Sequence, residues 1–133
     1  MKLESLKRVS GYVYLATPYS KYPAGLEAAY WGACTIAGKL IKHGVPVFCP
    51  IAHTHPIADF CEMDPLDHSI WIPADKPMMD GAAALVVALM ASWRESYGIS
   101  IEIEHFRSAG KPVYYLDLES FELSDRAPEP AEV

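Results

Sequence analysis

The chain has 133 residues and a mass of 14.7 kDa, which fits one domain large enough to bury a hydrophobic core. Hydrophobic residues make up 51% and charged residues 21%, a balance that excludes an intrinsically disordered chain. The formal net charge of -6 argues against a nucleic-acid polymer as the main partner, because phosphate backbones are bound by lysine and arginine. No apolar run approaches the ~20 residues that span a bilayer, and "MKLESLKRVS" lacks the apolar core of a signal peptide. We therefore expect a cytoplasmic protein with no membrane partner.

The first half of the chain predicts a strand, a helix and a second strand. Residues 11–18, "GYVYLATP", form a β-rich run ended by a proline. Residues 24–44 place alanines and other apolar residues at helical spacing, with basic residues in the last turn and a glycine at the C-terminal cap. Residues 45–50, "VPVFCP", return to a strand, and the His-, Pro- and Asp-rich residues 51–74 predict a long functional loop.

The second half continues the alternation. Residues 75–80 predict a short helical turn, and the apolar run "AAALVVALM", residues 82–90, suits the centre of a parallel sheet. Residues 96–110 predict a helix, which "KPVYYLDL", residues 111–118, follows as a strand. The acidic, proline-rich end of the chain predicts a flexible tail.

Alternating strands and helices predict an α/β fold: a three-layer αβα domain with a mostly parallel, flavodoxin- or Rossmann-like sheet of about 4–5 strands. We assign residues 1–121 to this domain and residues 122–133 to the flexible acidic tail. Ligands of such folds bind at the carboxyl ends of the strands, near a topological switch point. The loops "ATPYSKY" and "SWRESYG" and the histidine-rich loop should therefore meet there.

The helix that begins near residue 96 carries the most distinctive candidates. Ser96 can cap the helix, and with Gly98 and the amides of the first turn it forms a candidate anion site. Glu102 follows within two turns and can face the same crevice, whereas Glu104 points about 200° away around the helix. An ordinary helix cap with two solvated glutamates is the alternative interpretation.

Asp75 is a second candidate carboxylate, because it precedes the central strand. A nucleophilic carboxylate with a second carboxylate nearby is the recurring apparatus for cleaving bonds at the anomeric carbon of a sugar. Three other aspartates of this region are rival candidates, for which a turn or capping role is the alternative interpretation: Asp64, Asp67 and Asp80.

The two other loops supply candidate binding groups. The histidine-rich loop brings His53 and His55 close in sequence, which allows ligand contact or a metal site, although no standard zinc spacing is present. The absence of a Gly-rich phosphate loop or dinucleotide motif excludes those two chemistries. The remaining predicted substrate-binding residues come from the loops after the first and the central strands: Tyr14, Thr17, Pro18, Tyr19, Ser20 and Trp93.

Three segments together resemble the nucleoside 2-deoxyribosyltransferase superfamily, which includes the 2'-deoxynucleoside 5'-monophosphate N-glycosidases. "VYLATPYS" resembles the superfamily's first-strand signature Y-[LF]-A-G-P-[FY], "SYGISIE" resembles its [SD]-x-G-x-x-x-E segment, and "EIEHFRSAGKPVYYLD" is similar to the helix and strand that follow. The likeness spans roughly residues 11–118 and is closest to the DUF1937 branch. Thr17 departs from the signature, which usually has glycine there.

The resemblance implies roles for three residues. Glu102 takes the place of the glutamate that attacks the anomeric carbon. Asp75 is similar in placement to the aspartate that assists protonation of the leaving base or orients the sugar. Ser96 matches the serine found where the monophosphate enzymes bind phosphate, which favours nucleotides as substrates.

We therefore predict cleavage or transfer of the N-glycosidic bond of a nucleoside or nucleoside 5'-monophosphate through a glutamate nucleophile, with no cofactor and no metal. One alternative is a non-catalytic nucleotide-binding or sensing module of the same fold. Another is a metal-dependent hydrolase that uses His53 and His55. The resemblance also implies a homo-oligomer, since superfamily members complete their sites with residues of a neighbouring subunit.

Overall fold

The computed structural model describes residues 3–130, which form a five-stranded sheet with helices on both faces. The described part of the chain begins with a 3-10 helix, Leu3–Arg8, and a second short one, Trp93–Glu95, follows the central strand. The strands are β1 (Val13–Ala16), β2 (Val47–Phe48), β3 (Ala84–Ala88), β4 (Val113–Leu116) and β5 (Leu123–Ser124). The helices are α1 (Leu26–Lys42), α2 (Pro50–Phe60), α3 (His68–Gly81) and α4 (Tyr97–Ser108).

The sheet has the strand order β2-β1-β3-β4-β5. The first four strands are parallel, with Tyr14 of β1 beside both Phe48 of β2 and Leu85 of β3. Strand β5 runs antiparallel to β4. Because β1 connects outward to β2 while β3 connects outward to β4, the order reverses between β1 and β3, which makes this the switch point where such sheets bind ligands.

The alternating side chains of the strands separate two apolar layers. On one face, Val13 and Leu15 of β1 pack with α1 residues such as Leu40. On the other face, Tyr14 packs with Phe106 of α4, their ring centroids 5.8 Å apart, and with Met79 of α3. The predicted three-layer α/β fold with a mostly parallel sheet is confirmed.

The helix caps follow the chemistry of the sequence. Helix α1 is followed by Gly44 at φ 83°, a left-handed conformation that glycine adopts without strain. Gly110, at φ 71°, has the same place after α4. The longest helix, α1, has 17 residues. Between residues 3 and 130, no helix is long and apolar enough to cross a membrane.

The prediction of a long loop over residues 51–74 is wrong. Helix α2 occupies Pro50–Phe60, and the short helical turn expected at residues 75–80 is the end of the 14-residue helix α3. The prolines explain the error, since a proline inside a helix removes one hydrogen bond and costs about 3 kcal/mol. Pro73 and Pro77 lie four residues apart on the exposed side of α3, where water can bind the carbonyl groups that lose their partners.

The end of the chain is partly ordered. The sequence predicts a flexible tail from residue 122, but Leu123–Ser124 form β5, and Leu123 is buried against the same apolar layer as α1. Asp117 stabilises the turn before β5 by accepting hydrogen bonds from the amides of Glu119 and Ser120, each at 2.9 Å. Residues 131–133 of the predicted tail lie outside the described residues.

Two neighbouring residues of α1 test which face of the helix is buried. Leu40 is fully buried, whereas Ile41 is 59% exposed. Leu40→Ala should lower the free energy of unfolding by about 2–5 kcal/mol, because it leaves a cavity in the core. The control, Ile41→Ala, should change it by only about 0.5 kcal/mol. Urea denaturation measures both, and equal losses would contradict this orientation of α1.

Candidate active site

A cleft opens at the carboxyl ends of β1 and β3, at the switch point of the sheet. It holds about 720 Å³ of empty space, counted out to its open mouth. Four segments line it: β1 with its following loop, the start of α2, the segment leading into α3 together with α3, and the start of α4. Eight of the predicted site residues line this one cleft: Tyr14, Thr17, Tyr19, Ser20, Asp75, Ser96, Gly98 and Glu102.

Glu102 lies in the second turn of α4, on the side that faces the cleft and the sheet. Protein atoms surround its carboxylate, although part of the residue remains open through the cleft. Burial raises the pKa of Glu102 to about 8, the hydroxyl group of Tyr14 opposes this rise, and the negative charge of Asp75 adds to it. Glu102 therefore carries a proton in most molecules at neutral pH.

Asp75 enters the same cleft from α3 rather than from the end of a strand. Burial raises its pKa to about 6, against an ordinary value of 3.8. The two carboxyl groups interact, and their environments hold their pKa values about two units apart. Unequal carboxyl pairs of this kind divide acid and base roles in enzymes that cleave bonds to sugars.

Tyr14 joins this pair from β1. Its side chain is fully buried, and its hydroxyl group lies close to Glu102 but makes no hydrogen bond of standard geometry within residues 3–130. Burial, and then the charges of Glu102 and Asp75, raise the pKa of Tyr14, so its hydroxyl keeps its proton. The buried hydroxyl of Thr17 is likewise without a standard partner there. Buried polar groups left unpaired next to a cleft are candidates for binding a ligand.

The start of α4 forms the other wall. Ser96 is buried and caps the helix, since its Oγ accepts a hydrogen bond of 3.2 Å from the amide of Ile99. The amides of Tyr97 and Gly98 belong to the first turn, where no carbonyl group of the helix can accept from them. A side-chain methyl group placed on Gly98 would meet only Ser96 Oγ, at 3.9 Å, so the space over this turn is open.

Three predicted site residues do not line the cleft. Pro18 is buried within the loop after β1. His53 is exposed, with its ring 5.7 Å from that of Phe48. Trp93 instead packs against Tyr115, at a ring distance of 5.6 Å.

The other aspartates have structural roles, and Asp67 and Asp64 have the capping and turn roles expected of them. Asp67 caps α3 by accepting from the amide of Ser69 at 3.0 Å. Asp64 accepts from the amide of Leu66 at 2.9 Å in the preceding turn. Asp80 is exposed and pairs with Lys76 and His105.

The histidine-rich segment does not build a metal site in the described part of the chain. In residues 3–130, no group of three or more His, Cys, Asp or Glu side chains is arranged to hold a metal ion. His55 instead bonds to Tyr19 and Glu27. The described cysteines are free thiols, and Cys49 is buried, which raises its pKa to about 12.

Apart from Asp75, the wall formed by α3 is the part of the site that sequence reasoning missed. Four residues of α3 recur at intervals of three or four along the helix, and all of them line the cleft: His68, Ile72, Asp75 and Met79. That periodicity is present in the sequence, but the two prolines of α3 conceal it. Trp71 also lines the cleft, and its indole nitrogen donates a hydrogen bond of 2.8 Å to the carbonyl of Asp64. Further cleft residues not expected from the sequence are Pro50, Ile51, Thr54, Pro65, Leu66 and Ile101.

The raised pKa of Glu102 predicts a specific pH dependence of stability. In the folded protein the pKa of the Glu102 carboxyl group is about 8, against an ordinary pKa of 4.5. The group therefore stabilises the fold fully below about pH 4.5 and loses that effect as the pH rises from there to about 8. Relative to wild type, Glu102→Gln should gain on the order of a few kcal/mol in unfolding free energy between these limits.

Denaturant unfolding at several pH values measures this gain. Glu104→Gln is the matched control, because Glu104 is exposed on the same helix. Parallel pH profiles for wild type and Glu102→Gln would contradict the burial of the Glu102 carboxyl group.

The comparison with known proteins identifies a family for this chain. The family model described as "Domain of unknown function (DUF1937)" matches residues 11–118, which run from β1 to β4 and include all four parallel strands of the sheet. No curated protein matches the sequence. Because the family match covers most of the chain, the protein belongs to the DUF1937 family.

Proposed function

We propose that the protein cleaves or transfers the N-glycosidic bond of a nucleoside or nucleoside 5'-monophosphate, with Glu102 as the nucleophile. The observation that carries this proposal is the meeting of two carboxyl groups with unequal pKa values, Glu102 and Asp75, in one cleft at the switch point of the sheet. Carboxyl pairs of this kind serve substitution at anomeric carbons. The resemblance of "SYGISIE" to the superfamily segment supports the same assignment.

In the proposed reaction, a carboxylate oxygen of Glu102 forms a bond to C1' of the sugar. The bond from C1' to the base nitrogen breaks, and its electron pair stays with the base, which takes a proton from Asp75. Water or a second base then attacks C1' and gives a proton to Asp75, while the bond from C1' to Glu102 breaks and its electron pair returns to the Glu102 carboxylate. Tyr14 stabilises the ionised form of Glu102 by donating its hydroxyl proton toward the carboxylate.

The rest of the cleft supplies matching contacts for such a substrate. Apolar and aromatic side chains of the α3 wall, such as Trp71 and Ile72, offer surfaces to a base. The hydroxyl of Thr17 and the first-turn amides of α4 can bind sugar or phosphate oxygens. No lysine or arginine among the described residues lines the cleft, so a phosphate group would depend on these neutral donors.

The proposed reaction needs Glu102 ionised and Asp75 protonated, and only a minority of molecules are in that state. The pKa values of about 8 for Glu102 and about 6 for Asp75 mean that the proton resides on Glu102 in most molecules. The reverse arrangement, with Glu102 ionised and Asp75 protonated, is disfavoured by two pKa units, a factor of about 100. We therefore expect slow turnover unless the substrate itself lowers the pKa of Glu102.

Base release from a panel of nucleosides and their 5'-monophosphates, followed by chromatography, tests the proposal. Glu102→Gln should lower the rate by about a thousandfold or more, because no nucleophile remains. Asp75→Asn should lower it by about a hundredfold or more. Glu104→Gln should retain the wild-type rate. Equal base release by wild type and Glu102→Gln would show that Glu102 is not the nucleophile.

The pH profile of the same assay distinguishes the two roles of Asp75. If Asp75 donates the proton, the rate should peak between about pH 6 and pH 8, the pKa values of the pair. If Asp75 only orients the sugar, the rate should rise through about pH 8 to a plateau.

The non-catalytic nucleotide-binding module remains the alternative function, because the open first turn of α4 and the unpaired hydroxyls suit binding without turnover. Stabilisation of the protein against heat by nucleotides, with no base released after long incubation, would favour it. The metal-dependent hydrolase gains no support from the described residues. His53 contacts Phe48, whereas His55 bonds to Glu27, so the two histidines share no partner there.

We further propose that the protein forms a homo-oligomer through α1 and α2, which pack against each other and expose Trp31 and Phe60 at 61% and 88%. Light scattering should give the mass of a dimer or a larger assembly. Phe60→Lys should reduce that mass, whereas Ser100→Lys on the opposite face of the sheet should not. A monomer for the wild-type protein would overturn this part.

A further inference from the structure

Three side chains from three different segments form a hydrogen-bonded chain that ends at the cleft. Tyr19 lies in the loop after β1 and lines the cleft. Its Oη is 2.5 Å from Nδ1 of His55 in α2, and Nε2 of His55 is 2.8 Å from Oε2 of Glu27 in α1. Nothing in the reaction proposed above uses His55 or Glu27.

The ring of His55 is held in place as well as bonded. It stacks on Tyr30 of α1, with ring centroids 4.3 Å apart and planes inclined by 18°, and it meets the ring of Tyr19 edge-on at 5.7 Å. The His55 side chain is only 12% exposed, whereas Glu27 is 60% exposed. Fixed ring orientation and a defined partner on each nitrogen are the features of a histidine that positions another group.

The partner of Nε2 determines the tautomer. The carboxylate of Glu27 only accepts hydrogen bonds, so Nε2 of His55 must carry a proton. In the neutral ring Nδ1 is then an acceptor, and Tyr19 donates its hydroxyl proton to it. Burial, with the charges of Glu27 and Asp59, raises the pKa of Tyr19 to about 12, so the hydroxyl retains a proton that it can donate.

We propose that His55 and Glu27 are positioning residues that set whether the hydroxyl of Tyr19 accepts or donates a hydrogen bond in the cleft. When His55 is neutral, Tyr19 donates to Nδ1 and offers its lone pairs to a donor group of the ligand. When His55 is protonated, Nδ1 donates to Tyr19, and the hydroxyl proton turns to an acceptor such as a ring nitrogen, a carbonyl or a phosphate oxygen.

The charged surroundings of His55 are mostly negative. Glu27 approaches from α1, and the pocket on the far side of Tyr19 is lined by Asp59 of α2 and by Glu62 just after it. No lysine or arginine among the described residues lines that pocket.

The inference rests on the proposed function only for the kind of ligand, since the hydrogen-bonded chain of Tyr19, His55 and Glu27 exists in the free protein.

Nitrogen-15 NMR of histidine-labelled protein tests the chain without a ligand, with the His55 signals assigned by their loss in His55→Gln. In the neutral form of the His55 ring, Nε2 should carry the proton. Tyr19→Phe should shift the Nδ1 signal far more than the Nε2 signal. In Glu27→Ala, the tautomer protonated on Nδ1 should rise to about a tenth or more of the population.

Glu62→Ala is the control for these shifts, because it removes a carboxylate from the same pocket but none that bonds to His55. A wild-type ring protonated on Nδ1, or equal effects of Glu27→Ala and Glu62→Ala, would overturn the inference.

Calorimetry with nucleoside 5'-monophosphates then tests the cleft. Binding to wild type should tighten on acidification by about five- to tenfold more than binding to Tyr19→Phe, as expected for one added hydrogen bond. Equal pH responses of the two proteins would overturn the proposed link to the cleft. If no nucleotide binds while the NMR results are as expected, the proposed function fails and the assignment of His55 and Glu27 as positioning residues stands.

Discussion

Glu102 lies on a helix, α4, that is packed tightly against the sheet. Ile99 and Phe106 of α4 are buried against β1 and β3, and Phe106 contacts the ring of Tyr14. This packing fixes the Glu102 carboxyl group between the sheet and the cleft, where loss of water raises its pKa to about 8. The electrostatics of the site follow from that placement: Tyr14 keeps its proton, Glu102 and Asp75 have different pKa values, and the cleft is acidic without a balancing cation among the described residues.

The cleft exists because α3 folds in spite of its prolines. Its apolar residues gain burial on the inner side, and Asp67 caps its first turn. Both prolines face outward, so the lost hydrogen bonds fall where water can replace them. Asp75 lies on α3 and Glu102 lies on α4, so the two carboxyl groups are brought into one cleft by the packing of α3.

Two groups of polar residues therefore meet in one cleft on different kinds of support. The Glu102 side is built on the strand β1 and the helix α4. The Tyr19 side lies on a loop, and its position depends on the hydrogen bonds and ring stacking that His55, Glu27 and Tyr30 supply. A loop residue that contacts a ligand needs such support to keep its geometry. The first side suits the chemistry of the sugar, and the second suits recognition of the remainder of the ligand.

The sequence by itself determined the α/β alternation, the caps at Ser96, Gly44 and Gly110, and the choice of Glu102 over Glu104, because these depend on local periodicity and backbone chemistry. It also indicated Asp75, although through a wrong local structure. Only the tertiary structure decided that residues 50–81 form two helices, since burial outweighed the cost of internal prolines. It also excluded His53 and Trp93 from the cleft and brought Glu27, Tyr19 and His55 together, because contacts between distant segments leave no spacing pattern in the chain.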